Sequence, residues 1–257
     1  IVFKIATWNV NSLNVRLPHV LQWMQREDPD VFALQETKSI NENFPIDAIK
    51  EQGYHVSFTG QKTYNGVATI SKSPIETISS SLPNYDDEQR RVLAINTVGI
   101  TVLNIYIPNG SEVNSEKYKY KLKWLSKLHP FVNNLQNRNE RLIILGDFNI
   151  APEDRDVHAP EEWVGSVLVS KPERDEFKKL LSHGLIDCFR IFNQEKGNFS
   201  WWDYRAASFR RNRGVRIDHI LASNSMSKSC HACYIDKNPR KLERPSDHTP
   251  VVAEFDI

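Results

Sequence analysis

The chain has only three cysteines among 257 residues. So sparse and odd a set cannot form the disulfide framework of a small secreted domain, and a reducing compartment is expected. Cys230 and Cys233 make a lone CxxC with neither a second pair nor a histidine at ligand spacing, which favours two incidental thiols in a loop and strand over structural zinc. Long hydrophobic runs are missing as well. A spanning helix needs roughly 18 uninterrupted apolar residues, and the most apolar stretch, 92–107, is broken by Asn96, Thr97 and Asn104 into what reads as two strands. The start, IVFKIATWN, lacks the order of a secretion signal, so the expectation is a cytoplasmic protein with no membrane partner. Excess charge of either sign is absent: 33 basic against 32 acidic residues leave a net charge of +1, and bulk electrostatics name no polyelectrolyte partner. No Pro/Ser/Gly-rich linker, composition shift or internal repeat divides the chain. Residues 1–257 therefore read as a single domain, long enough to bury a sizeable core.

What the chain does have is four short polar blocks that follow apolar runs: WNVN at 8–11, QET at 35–37, GDFN at 146–149 and SDH at 246–248. A hard divalent cation takes oxygen ligands, often one or two carboxylates plus water and substrate phosphate. Glu36 suits that role, because 31–34 reads as a buried strand and ligands bind at strand carboxyl ends in open α/β sheets. Asn9 leaves the strand 3–7 in the same way and adds a neutral oxygen donor. Asn11, two residues on, would share its face in extended chain, and Asp247 offers a second acid. In GDFN the strand 141–145 delivers Asp147 and Asn149, again two apart, while Gly146 lets backbone approach the substrate. One can take a proton from attacking water while the other bonds a phosphate oxygen. Protonated His248 can pair with a phosphate oxygen, its other nitrogen held by a carboxylate, for which Asp218 in RIDH is the candidate. Any one block alone reads as a turn or a helix cap. Four together carry the residue types that metal-assisted phosphodiester hydrolysis requires.

The basic residues are patterned locally. From Arg205 to Arg216 there are five arginines and no acid, with Phe209 and Val215 interleaved and Trp201, Trp202 and Tyr204 just upstream. Such a loop has charge to neutralise phosphates and apolar groups to enter a groove or wall a pocket. Arg240, Lys241 and Arg244 extend the strip toward SDH. The lysines at 117, 119, 121 and 123 lie two apart on an expected helix, so they spread over its surface and read as solvated. Apolar runs at 67–70, 92–95, 100–107, 142–145 and 217–221 read as buried strands, and 14–27, 115–128 and 173–183 as helices. Strands recur throughout, which suits two packed sheets flanked by helices.

These blocks, in this order, resemble the exonuclease III family of abasic-site DNA repair nucleases, within the endonuclease/exonuclease/phosphatase superfamily. The resemblance rests on TWNVNSLNVR (7–16), LQETK (34–38), GQKTYNGVAT (60–69), NIYIPNG (104–110), LGDFNIAP (145–152), WDYR (202–205), RIDHIL (216–221) and ERPSDHTPV (243–251). It implies a DNase I-like α/β fold, a four-layer α/β/β/α sandwich of two mostly antiparallel sheets. It also implies metal residues among Asn9, Glu36, Asp147, Asn149, Asp247 and His248, with Glu36 the principal ligand and Mg²⁺ or Mn²⁺ the cation. Catalytic residues would be Tyr106, Asp147, Asn149, Asp218 and His248, with either Asp147 or His248 activating the water. DNA contacts would come from Asn109, Trp201, Arg210, Arg211, Arg213, Val215 and Ile217. Trp201, Val215 and Ile217 would wall the pocket for an extruded abasic sugar, although some relatives carry a bulkier aromatic at the position of Val215. The implied partner is double-stranded DNA with abasic sites or blocked 3′ ends, cleaved by a monomer. The resemblance implies cleavage 5′ to abasic sites with 3′-end cleaning and 3′-to-5′ exonuclease action. The alternatives are a 3′-end-processing enzyme with little action at abasic sites, a phosphoesterase of the same superfamily acting on a non-DNA substrate, and a silent DNA-binding module, for which Asp147, Asn149 and His248 would have no purpose.

Overall fold

The computed structural model describes residues 1–257. Its strands, in chain order, are β1 (Val2–Asn9), β2 (Val31–Gln35), β3 (His55–Thr59), β4 (Val67–Ser71), β5 (Glu76–Ser79), β6 (Val92–Thr97), β7 (Ile100–Tyr106), β8 (Leu142–Asp147), β9 (Ile186–Asp187), β10 (Trp201–Trp202), β11 (Gly214–Val215), β12 (Asp218–Ala222), β13 (Cys230–Ile235) and β14 (Val251–Asp256). One sheet runs β13-β14-β1-β2-β4-β3 and the other β5-β6-β7-β8-β12-β9, while β10 and β11 form a separate ribbon. Each large sheet has one parallel pair, β1 with β2 and β7 with β8, among antiparallel neighbours. A parallel pair needs a crossover. The helix Leu13–Glu27 supplies it in the first sheet and the helix Glu116–Arg138 in the second. The halves thus share a βαβ unit with no repeat in their sequences.

Strand side chains alternate between faces, and the cores follow that parity. Phe3, Ile5, Val31, Ala33, Val102, Ile143 and Leu145 meet between the sheets. Ala6, Trp8, Phe32 and Leu34 face Val20, Trp23 and Met24 of Leu13–Glu27, and Leu103, Ile105, Leu142 and Ile144 face Trp124, Leu125 and Leu128 of Glu116–Arg138. The result is the four-layer α/β/β/α sandwich. Trp23 against Phe32, ring centres 4.7 Å apart, anchors the first helix; truncating such a buried aromatic to alanine costs about 3–5 kcal/mol. The second helix runs ten residues beyond the 115–128 expected, through Pro130, because Phe131, Val132 and Leu135 continue its buried stripe.

Toward their carboxyl ends the four parallel strands exchange apolar for polar residues on the face between the sheets: Ile5 to Thr7 and Asn9, Ala33 to Gln35, Val102 to Asn104 and Tyr106, Leu145 to Asp147. Gln35 Nε2 donates to Thr7 Oγ1 and Asn104 Oδ1, both at 2.9 Å, and Asn104 Nδ2 donates to the carbonyls of Ala68 and Leu34. Buried polar groups are tolerated when bonded in this way. Gln35 of the QET block therefore ties the sheets together and leaves the site to its neighbour Glu36.

Candidate active site

Above that network the two sheets contribute equally. Asn9 ends β1 and Glu36 follows β2; Tyr106 ends β7 and Asp147 ends β8. Asn9 Nδ2 donates to Glu36 Oε1 and Asp147 Oδ2, each at 2.9 Å, and the Tyr106 hydroxyl donates to Glu36 Oε1 at 2.8 Å. His248 reaches in from the loop before β14, its Nδ1 bonded to Asp218 Oδ2 at 2.8 Å and its Nε2 3.6 Å from Asp147 Oδ2. The SDH block is stapled to β1: Trp8 Nε1 donates to the carbonyl of His248, and Ser246 Oγ donates to that of Asn9 while accepting the His248 N–H. Asp218 opens β12 opposite Asp147, which fixes the His248 partner by strand register. Glu36 sits at φ 51 and Asn149 at φ 49, left-handed conformations that cost non-glycine residues of the order of 1–3 kcal/mol and persist only where surroundings over-determine them.

The electrostatics divide the group. Burial disfavours an imidazolium, but Asp218 and Asp147 more than offset it and raise the His248 pKa to about 10. Burial raises Asp147 to about 7, with Asp218 and Glu36 pushing the same way and His248 opposing. Glu36 is also penalised by burial, yet the Asn9 amide, His248 and Lys38 hold it below the ordinary carboxylate value. Burial, with Glu36 and Asp147 adding to it, keeps the Tyr106 phenol well above its usual value, hence protonated. Glu36, Asp147 and His248 offer ligand atoms within 4.8 Å of one another. Two carboxylate oxygens at that spacing fit a hard divalent cation. His248 fits only after losing its Nε2 proton, which the carboxylates around it oppose. Asn9 turns its amide nitrogen to the carboxylates because its oxygen accepts the Asn11 N–H at 3.0 Å.

Several positions differ from the sequence reading. Asn11 does not share a face with Asn9: β1 has ended, Asn11 adopts φ 45, and its amide bonds Lys38 Nζ and the Tyr204 hydroxyl. Asn149 also lies outside its strand. It nevertheless meets Asp147 through a turn, its N–H donating to Asp147 Oδ1 at 3.0 Å, while its Nδ2 bonds the Ile107 carbonyl and its Oδ1 meets Asn109 Nδ2 at 3.4 Å. Gly146 serves β7 and not a substrate, since a Cβ there would lie 1.8 Å from the Ile105 carbonyl oxygen. Asp247 stands apart from the cluster, accepting from Trp201 Nε1 at 2.9 Å. Trp201 is half-buried beside it, but Val215 and Ile217 are wholly buried behind Trp201 with Ala151, Val157 and Leu168, so they back the wall and do not form its surface.

The arginine loop is less basic than its composition. Arg205 pairs with Asp203, Arg213 with Glu162, and Arg216 is buried against Asp156 and Asp187. Arg210 and Arg211 alone are exposed and without an ion pair. Trp202 is core, and Arg240 is buried over the rings of Tyr204 and Phe209, which leaves Lys241 and Arg244 as the outer part of the expected strip. Lys121 is fully buried and paired with Glu173, contrary to the solvated reading. The signal was present: 121 lies in phase with Trp124, Leu125 and Leu128 on the buried stripe. Lys38, 3.4 Å from Glu36 Oε2, and Arg91, stacked 4.7 Å from the Tyr106 ring centre, also belong to the site and were not singled out by motif.

Comparison with known proteins matches this architecture from end to end. The chain is 35% identical to exodeoxyribonuclease III of Haemophilus influenzae, over 98% of this chain and 99% of that one. It is 31% identical to an exodeoxyribonuclease of Bacillus subtilis, over 99% of this chain and all of the relative. Among solved structures, a 3′-5′ exonuclease of Neisseria meningitidis superposes with a TM-score of 0.98 at 46% identity, covering 99% of this chain and 100% of that one. An AP endonuclease of Archaeoglobus fulgidus gives 0.96 at 38% identity with the same coverage. With its strand-end carboxylates in place and the family model of endonucleases, exonucleases and phosphatases matching residues 6–248, the chain belongs to the endonuclease/exonuclease/phosphatase family, among its exonuclease III members.

Proposed function

We propose that this protein is a divalent-metal-dependent DNA repair nuclease, using Mg²⁺ or Mn²⁺, that cleaves 5′ to abasic sites and trims 3′ ends by exonuclease and 3′-phosphodiesterase action. The observation that carries the reading is the grouping of Glu36, Asp147 and His248 within 4.8 Å at the joint carboxyl end of both sheets. The activities named for the relatives support the DNA substrate.

Glu36, with Asp147 beside it, would hold the divalent cation, which would supply positive charge where the reacting phosphate builds up negative charge. Water attacks phosphorus and gives a proton to a protein base, the P–O3′ bond breaks with its electron pair going to O3′, and that oxygen takes a proton from solvent to become a 3′-hydroxyl. Asp147 suits the base role, because burial together with the nearby Asp218 and Glu36 carboxylates raises it above the ordinary carboxylate value and makes it a better proton acceptor. His248, with Asp218 behind it and a pKa raised to about 10, keeps its proton and bonds a non-bridging phosphate oxygen. The side-chain amides of Asn109 and Asn149 line the neighbouring face, and Tyr106 holds Glu36 by its hydroxyl. Trp201, whose backbone bridges that of His248, forms the wall against which an extruded sugar rests, extrusion being cheap where the base is missing.

A second reading is a 3′-end-processing enzyme with little action on internal abasic sites. It is favoured by the 46% identity to a Neisseria protein described as a 3′ phosphatase bound to product DNA hairpin, against 38% to the AP endonuclease. Labelled duplexes carrying an internal abasic site, a 3′-phosphate nick or a recessed 3′ end, each with Mg²⁺ and with EDTA, distinguish the two. Cleavage of all three that EDTA abolishes supports the broad reading. Cleavage of 3′ ends alone supports the narrow one, and equal activity in EDTA sinks the metal assignment.

A further inference from the structure

Beneath the site lies an ion pair that hydrolysis does not use directly. Lys121 and Glu173 are both fully shielded from solvent. Lys121 Nζ has three N–H bonds to give: one goes to Glu173, one to the carbonyl of Asn149 at 2.6 Å and one to that of Asn109 at 3.2 Å. Glu173 in turn accepts the Leu168 N–H at 2.9 Å and the Ser170 hydroxyl at 2.7 Å, and the Leu168 carbonyl accepts the Ala151 N–H at 2.9 Å. Two loops converge on one ammonium and a third is tied to its Glu173 partner, and the first two carry the amides that meet across the site at 3.4 Å. Asn149 and Leu168 both hold positive φ, 49° and 78°, in conformations a non-glycine residue abandons unless held. The bond to the ammonium fixes the direction of the Asn149 carbonyl and so opposes that relaxation. A buried ion pair is seldom better for stability than apolar residues of similar volume. What the pair provides that an apolar plug cannot is donors aimed at two backbone carbonyls.

We infer that Lys121, oriented by Glu173, is a positioning residue that holds the Asn109 and Asn149 amides against the substrate phosphate. The inference rests on the nuclease reading above, since it gives those amides their purpose. Neither Lys121 nor Glu173 touches substrate.

The test separates position from stability. Lys121→Met strands the Glu173 charge and lowers both Tm and kcat. The double variant Lys121→Met/Glu173→Gln removes both charges while the amide that replaces the carboxylate still serves Leu168 and Ser170, so its Tm returns toward wild type. With the carbonyls of Asn109 and Asn149 unanchored, its kcat on the duplex that wild type cleaves best stays about 10²-fold down with KM unchanged, the loss expected of an ångström-scale misplacement. Glu173→Gln alone keeps the Lys121 donors, so it melts below the double variant yet loses less kcat. In ¹⁵N spectra of the metal-free protein the Asn149 side-chain amide, identified by its loss in Asn149→Ala and held in wild type by the Ile107 carbonyl at 2.8 Å, shifts or broadens in both Lys121 variants. A kcat that simply follows Tm across the three variants, with that signal unmoved, overturns the inference and leaves the nuclease reading standing. Wild-type protein inactive on every duplex sinks the nuclease reading instead, and the amide signal then decides whether Lys121 places Asn149.

Discussion

The arginine loop offers the sharpest quantitative test, because its composition and its structure give different numbers. Each arginine-phosphate contact releases counterions and steepens the dependence of log K on log salt by about 0.9. Counted by composition, Arg210, Arg211 and Arg213 would contribute about 2.7 to that slope. Arg213, however, donates to Glu162 at 2.8 Å, and a guanidinium already neutralised by a carboxylate neutralises no phosphate and so displaces none of the cations condensed on the DNA. Only Arg210 and Arg211 remain, worth about 1.8. Over a fourfold change, from about 50 to 200 mM salt, two contacts account for about a 12-fold change in affinity, and one for about 3.5-fold. Anisotropy titrations of a labelled duplex in EDTA, repeated along that salt series, measure the slope directly. Arg210→Ala and Arg211→Ala should each flatten it by about 0.9, Arg213→Ala should leave it nearly unchanged, and Glu162→Gln, which frees Arg213, should steepen it by about 0.9. Equal slopes lost in all three arginine variants would refute the pairing argument. No change in any of them would remove the loop from the DNA interface.

Glu36→Gln keeps an acceptor for Asn9 and Tyr106 but loses the charge that holds a cation; kcat in Mg²⁺ should drop by about 10² or more, while duplex affinity measured in EDTA is not weakened, and undiminished turnover would rule Glu36 out as the metal carboxylate. Trp201→Ala should depress cleavage at an internal abasic site more than removal of a 3′-phosphate, whereas equal losses at unchanged Tm would make Trp201 a general groove residue; Trp201→Phe, which keeps a ring but not the bond to Asp247, tells the wall from the anchor. For Asp156 and Asp187, burial pushes the carboxyl pKa up but the Arg216 guanidinium outweighs it and holds both below the ordinary value. Their contribution is therefore full above the unfolded carboxylate pKa of about 3.9 and fades as pH falls through the lower folded value. Asp156→Asn should cost about 3–5 kcal/mol at neutral pH by leaving Arg216 and Arg190 short of a partner, and should flatten the acid limb of a Tm-against-pH curve; an unaltered acid limb refutes the assignment.

Much of this protein is local and was legible as such. Strands at 92–107 and helices near 14–27 and 173–183 follow from apolar periodicity, and the runs that end in Glu36, Tyr106 and Asp147 follow from strands that turn polar at their carboxyl ends. Identity of the reactive groups is equally a property of the chain, since the carboxylates, amides and imidazole in these blocks are residue types suited to metal-assisted hydrolysis whatever the fold. Tertiary structure alone decided which of them act together and which charges remain free. Asp147 stands opposite Asp218 because β8 and β12 pair in one register, and a slip of a single residue would turn one of them to the other face. Arg213 met Glu162 and Lys121 met Glu173 across some fifty residues of chain. No reading of nearest neighbours detects such a partner, because Coulomb energy and burial depend on distance in space and on water excluded by the fold, and neither quantity exists until the sheets have closed.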